Sequence, residues 1–100
     1  MATPSDQTGP GVVTSVGITS GVSTVTLSWL NPSVSDFGGV MIRRSQSIWP
    51  TSISEGTLVY EGVSQTHIDT GLASDTTYYY SIFARDKLNN WSNSVATSIK

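Results

Sequence analysis

Short runs of alternating apolar and polar residues recur along this chain, separated by Gly, Pro, Asn and Asp. Nowhere do apolar residues repeat at helical spacing over three turns, so the pattern predicts strands throughout. In "STVTLSW", Val25, Leu27 and Trp29 fall on one face and Thr24, Thr26 and Ser28 on the other. "GVMIRRS" likewise separates Val40 and Ile42 from Met41 and Arg43. "TLVYEG" predicts a third short strand, "SVGIT" around Val16 and Ile18 an edge strand, and "QTHIDTGL" a weaker strand running into a turn. "SVATSIK" closes the chain with Val95, Thr97 and Ile99 on one face. Period two divides "YYYSIFAR" into Tyr78, Tyr80, Ile82 and Ala84, graded in size as an interior requires, and Tyr79, Ser81, Phe83 and Arg85. Density in Thr, Val and Ile disfavours helix. Evenly spaced short strands with turn chemistry between them predict an all-β sandwich or barrel.

One hundred residues suit a single domain that buries about two thirds of its unfolded surface. Residues 12–100 carry the pattern. Residues 1–11, "MATPSDQTGPG", have no core-forming periodicity and read as a flexible linker. The least regular internal segment is Ser45–Gly56, long for a hairpin loop and containing Pro50.

Charge changes the picture mainly by exclusion. Only 12% of residues are charged, against about 25% in an average domain, while Ser and Thr fill 30 positions. The net charge of −2 and a single adjacent basic pair, Arg43-Arg44, leave no footprint for nucleic acid or an anionic membrane. No apolar run reaches the ~20 residues of a membrane span. Without cysteine neither disulfides nor thiolate metal sites form.

Leu72, then Thr76 and Tyr78 after a turn, then alternating Tyr80, Ile82 and Ala84, resemble the corner and sixth strand of a fibronectin type III domain. Trp29, ending "TVTLSW", resembles that family's core tryptophan. "NPSVSDFGGVMIRRS", "GTLVYEG" and "DTGL…TTYYYSIFARDKLNNWS" are most similar to the versions found in bacterial secreted enzymes and surface proteins. The resemblance spans about Val13 to Ile99, with His67 a departure from the usual aromatic or aliphatic residue. It implies an immunoglobulin-like sandwich of about seven antiparallel strands in two sheets, A-B-E and C′-C-F-G. The expected core is Val25, Leu27, Trp29, Val40, Ile42, Leu72, Tyr78, Tyr80, Ile82 and Ala84.

Candidate chemistry is sparse. His67 and Asp69 would share a strand face, but no nucleophile elbow accompanies them and a structural histidine is the better reading, so no enzyme and no cofactor are expected. One His and no Cys exclude ordinary zinc sites. The resemblance places Asp36, Glu61 and Asp86 in loops at one end, where turn capping explains them without calcium. Trp49 in the C–C′ loop, Trp91 in the F–G loop and Phe37 beside it are candidate stacking aromatics for a polysaccharide. The implied topology sends those loops to opposite ends and expects each tryptophan to cover an end of the core. Met41, Arg43, Tyr79, Phe83 and Arg85 should face outward together as a surface for a protein partner or neighbouring domain, because Tyr, Phe, Met and Arg are enriched at interfaces. Asn90-Trp91-Ser92 fits a glycosylation sequon, and the integrin tripeptide is absent because no glycine precedes Arg85-Asp86.

The expectation is a non-catalytic accessory module, monomeric in isolation. It belongs outside the cell or on its surface, within a larger protein such as a bacterial carbohydrate-active enzyme. The alternatives are a carbohydrate-binding module, or a free-standing or engineered binding scaffold that uses the B–C and F–G loops.

Overall fold

The computed structural model describes residues 12–32, 37–73, 75–92 and 94–99. The linker assigned to residues 1–11, and Asp36 with most of the B–C loop, lie outside the described residues. The described residues form seven strands and no helix: β1 (Thr14–Gly21), β2 (Thr24–Leu30), β3 (Phe37–Ser45), β4 (Thr57–Gly62), β5 (Thr66–Asp69), β6 (Tyr78–Asp86) and β7 (Val95–Ile99). They pair antiparallel in two sheets, β1-β2-β5 and β4-β3-β6-β7. This is the A-B-E and C′-C-F-G arrangement.

Period-two alternation explains how the sheets close on each other. Val25, Leu27 and Trp29 of β2 are buried while Ser28 and Leu30 are exposed. From the opposite sheet, Val40 and Ile42 of β3 meet Tyr78, Tyr80, Ile82 and Ala84 of β6. Val13 and Leu72 complete this layer, and Phe37, Val59, Tyr60, Val95 and Ile99 pack around it. All ten residues of the expected core are buried.

The corner before β6 is fixed by the Tyr78 hydroxyl, which accepts the backbone N–H of Ala73 at 2.9 Å. The Leu72 N–H donates to the Ser23 carbonyl at 3.1 Å, tying the same corner to the β1–β2 turn. A phenol that buries its ring and spends its oxygen on a turn amide joins the two sheets covalently distant but spatially adjacent.

The outer face of the four-stranded sheet departs from expectation. Met41 and Phe83, expected at the surface, are only 7% and 3% exposed, and Tyr79, Arg43 and Arg85 are half-buried. The face does point away from the core, but the Ser45–Gly56 segment folds across part of it. Pro50 is fully buried there, and its carbonyl accepts the Ser81 hydroxyl at 2.6 Å.

Candidate binding surface

Outward-facing residues of the four-stranded sheet form rows across its strands. Leu58, Arg43, Ser81 and Ala96 make one row; Glu61, Met41 and Phe83 another; Ser45, Tyr79 and Ser98 a third. Arg85 extends the face at the far end, where it bridges to Trp91. Opposed residues of an antiparallel pair project to the same side, so Trp91 shares a face with Arg85, Phe83 and Tyr79.

Trp49 reaches this face from the other end. Its ring stands edge-on to Tyr79 at 4.8 Å between centroids, and its Nε1–H donates to the Thr97 carbonyl at 3.1 Å. The indole is still 43% exposed. The loop that carries it is held internally: Glu55 accepts both the N–H and the hydroxyl of Thr51, at 2.7 and 2.8 Å. The Thr51 amide, then the Thr51 hydroxyl, hold the Glu55 carboxyl below its ordinary range. The two tryptophan loops do leave opposite ends of the sandwich, but Trp49 packs on the outer sheet face instead of closing an end of the core, and Trp91 stands opposite Arg85 on the same face. Phe37 does not join them. It begins β3, pairs with Asp86 and packs against the core.

The two arginines on this face are loosely held. Arg43 makes one long hydrogen bond, Nη1 to the Gly56 carbonyl at 3.4 Å, and its buried Nε has no partner. Arg85 makes two, at 3.4 Å each, to the Asp86 carbonyl and Asn89 Oδ1. Its guanidinium rests over Gly38 and Gly39: a Cβ on Gly39 would lie 3.4 Å from Nε and Nη2, and one on Gly38 only 2.9 Å from Nη1. Neither arginine makes an ion pair among the described residues.

Arg44, in phase with Val40 and Ile42, turns inward and is held quite differently. Its Nη1 meets Asp69 Oδ2 at 2.7 Å and Oδ1 at 2.9 Å, bridging the two sheets. The Tyr80 hydroxyl donates to the same Oδ2 at 2.8 Å, and the Arg44 guanidinium lies 5.7 Å from the centre of the Tyr78 ring. Burial, followed by the hydrogen bond to Asp69, pushes the Tyr80 phenol above its ordinary range. This cluster escaped the reading of the sequence. The available signals were an arginine in phase with two core residues, and Asp69 on the inward face of its strand.

His67 and Asp69 do share the inner face of β5, but Asp69 is engaged by Arg44 and Tyr80, and the His67 ring lies 4.9 Å from that of Tyr60. Glu61 lies within β4, opposite Met41, and not in a loop as expected. Asp86 accepts Leu88 N–H at 2.8 Å, Asn90 N–H at 2.9 Å and Asn90 Nδ2 at 2.9 Å. The Asn90 side chain first, then its backbone N–H, hold the Asp86 carboxyl below its usual range; Leu88 N–H and the Arg85 charge add to this. The carboxylate thus caps its own turn. Both polar residues of the sequon are engaged in the same hairpin: Asn90 with Asp86, and buried Ser92 through Oγ with the Ala84 N–H at 3.0 Å. At the β1–β2 turn a cleft of about 430 Å³ is lined by residues that include Val22, Thr24, Leu72, Asp75 and Ile99.

No protein-family model matches the sequence, and no curated protein matches it. Solved structures do resemble it in fold. The spore cortex lytic enzyme SleM of Clostridium perfringens superimposes with a TM-score of 0.75 at 12% identity, over 92% of this chain and 28% of that one. Pectate lyase PelI of Erwinia chrysanthemi, solved with tetragalacturonic acid, gives 0.68 at 14% identity, over 88% of this chain and 28% of the enzyme. A Fn3-like protein of Clostridium thermocellum gives 0.67 at 23% identity, with 92% and 93% covered. This chain thus spans just over a quarter of the two enzymes it resembles. Its strand order, filled core and structural neighbours together establish the fold of a fibronectin type III domain.

Proposed function

We propose that this chain is a non-catalytic accessory module of a larger extracellular protein, a bacterial carbohydrate-active enzyme or surface protein, in which it spaces and orients neighbouring domains. The observation that carries this reading is the closed interior. Both inner faces are filled by side chains, and Arg44, Asp69 and Tyr80, the inward polar groups best placed for chemistry, are spent on one another. A reaction site needs a concave pocket in which an acid and a base converge on a substrate; this core is packed, and the cleft at the β1–β2 turn sets the single carboxylate of Asp75 among Ser, Thr and apolar residues, with the Tyr78 hydroxyl spent on the Ala73 N–H. Structural similarity to segments of two bacterial enzymes supports a role beside catalytic domains, although fold alone does not assign one.

Two measurements test the reading. The coding sequence on either side of this segment should encode further domains, a catalytic one among them. Deleting the module from that parent should lower turnover of insoluble polymer and leave turnover of a small soluble substrate unchanged. A reading frame that encodes this segment alone, or loss of small-substrate turnover on deletion, would overturn it.

A further inference from the structure

The outer face of the four-stranded sheet combines three features that spacing does not require. Trp49 and Trp91 stand at its two ends, a tyrosine ring supports Trp49, and two arginines on the face make no ion pair among the described residues. We propose that this face is a binding strip for an acidic polysaccharide, a chain of uronate-type sugars that runs from Trp49 to Trp91 and passes over the Ser45–Gly56 segment where that segment covers Ser81. The proposal goes beyond the accessory role, since a module can orient its neighbours whether or not it holds a glycan.

Size and chemistry select the occupant. Tyr79 and Arg85 are six residues apart on β6, about 20 Å at roughly 3.3 Å per residue, which accommodates several pyranose rings in an extended chain. Indole faces offer apolar area to the C–H faces of sugar rings while their N–H groups keep polar partners. Guanidinium groups pair bidentately with carboxylates. Arg43 and Arg85 hold only 3.4 Å bonds and so can exchange them for stronger ones, whereas the 2.7 and 2.9 Å bonds of Arg44 exclude it from that role. Arg85 lies over Gly38 and Gly39, where the missing side chains leave room for its guanidinium. A peptide would look for apolar anchor sites, but Met41 and Phe83 are buried here. The chain is net negative, so attraction to a polyanion is confined to this face, and Glu61 at its border opposes it.

Retardation of the purified chain in native gels containing polygalacturonate, alginate, neutral hydroxyethylcellulose or polyglutamate tests the strip. The uronates should retard it and the other two should not. Double substitution Arg43→Gln with Arg85→Gln should weaken retardation by about tenfold or more, the scale of lost charge-assisted hydrogen bonds. Trp49→Ala and Trp91→Ala should each weaken it severalfold, and Glu61→Gln should strengthen it. In NMR titration with oligogalacturonate, the indole N–H signals of Trp49 and Trp91 should shift. That of Trp29, bonded to Asn31 Oδ1, should stay, which reports the site even if a variant folds poorly. Equal retardation by polyglutamate would replace the glycan with an acidic peptide, and equal retardation by the neutral polymer would remove the arginines from the site. Absence of uronate retardation, or a shift at Trp29 alone, would also overturn the proposal.

Discussion

Arg43 and Arg44 are consecutive residues of β3 that project to opposite faces of one sheet. Arg44 enters the inter-sheet space, where its side chain is 22% exposed and bridges to Asp69 of the other sheet at 2.7 Å. Arg43 lies on the outer face with a single 3.4 Å bond and an unpartnered Nε. In a low-dielectric interior an ion must be paired and hydrogen-bonded or it is costly; on a half-wet face a guanidinium can rely on water and spread its aliphatic stem over apolar neighbours. The inner face is therefore built to be specific, Arg44, Asp69 and Tyr80 each having a named partner. The outer face is covered by a loop and two long side chains, and keeps unspent hydrogen-bonding capacity.

If the inner face carries the stability, its centre should give the largest effect. Trp29→Ala removes a buried ring whose Nε1–H bonds Asn31 Oδ1 at 2.9 Å and which packs 6.2 Å from the ring of Tyr60. The expected loss is about 3–5 kcal/mol, a large share of the roughly 5–15 kcal/mol typical of a domain, read from urea denaturation. A variant that unfolds at the wild-type midpoint would place the core elsewhere.

Asp69→Ala comes next. It strands the Arg44 guanidinium and the Tyr80 hydroxyl together, and breaking a fully buried pair costs about 3–5 kcal/mol. Because Arg44 keeps some contact with water, about 2–4 kcal/mol is expected here. Replacing all three partners with apolar residues, Arg44→Met, Asp69→Leu and Tyr80→Phe, should cost less than Asp69→Ala alone, since nothing polar is then left unpaired. Additive losses in that series would show that the three groups do not act as a unit.

How far the sequence discloses this contrast depends on which forces set each feature. Alternation alone places Val25, Leu27, Trp29, Val40, Ile42, Tyr80, Ile82 and Ala84 inside, because period two is a property of the strand itself. It also assigns Met41 and Phe83 to the outer face correctly. It cannot say that they are buried there, because that depends on where an eleven-residue-scale excursion of irregular chain comes to rest. Pro50 reaches Ser81 across 31 positions of sequence, and Trp49 reaches Thr97 across 48. Such contacts follow no local period. The same holds for Arg44 and Asp69: phase puts both inward, but only the sheet-to-sheet registry brings them together.

Tyr78→Phe tests the boundary between the two regimes. It leaves the Ala73 N–H without its acceptor, for which about 1–3 kcal/mol is the range when the partner is buried. Ala73 is exposed, so water can take over that amide, and a loss near the lower limit is expected in chemical denaturation. No loss would mean that the hydroxyl does not pin the corner.

The smallest effect is the sharpest check on the two arginines. Arg43→Met keeps the stem over the outer face and deletes a guanidinium whose Nε has no partner. A buried polar atom without a hydrogen bond is itself unfavourable, so stability should stay within about 0.5 kcal/mol of wild type or rise. Arg44→Met, the same chemical change one residue on, leaves buried Asp69 without its cation and should be clearly destabilising. Measured side by side in urea, equal losses would mean that the outer face is held together as the inner one is, with no arginine left uncommitted for a ligand. A neutral Arg43→Met beside a costly Arg44→Met would leave the outer guanidinium free of structural duty, as a group reserved for an anionic partner must be.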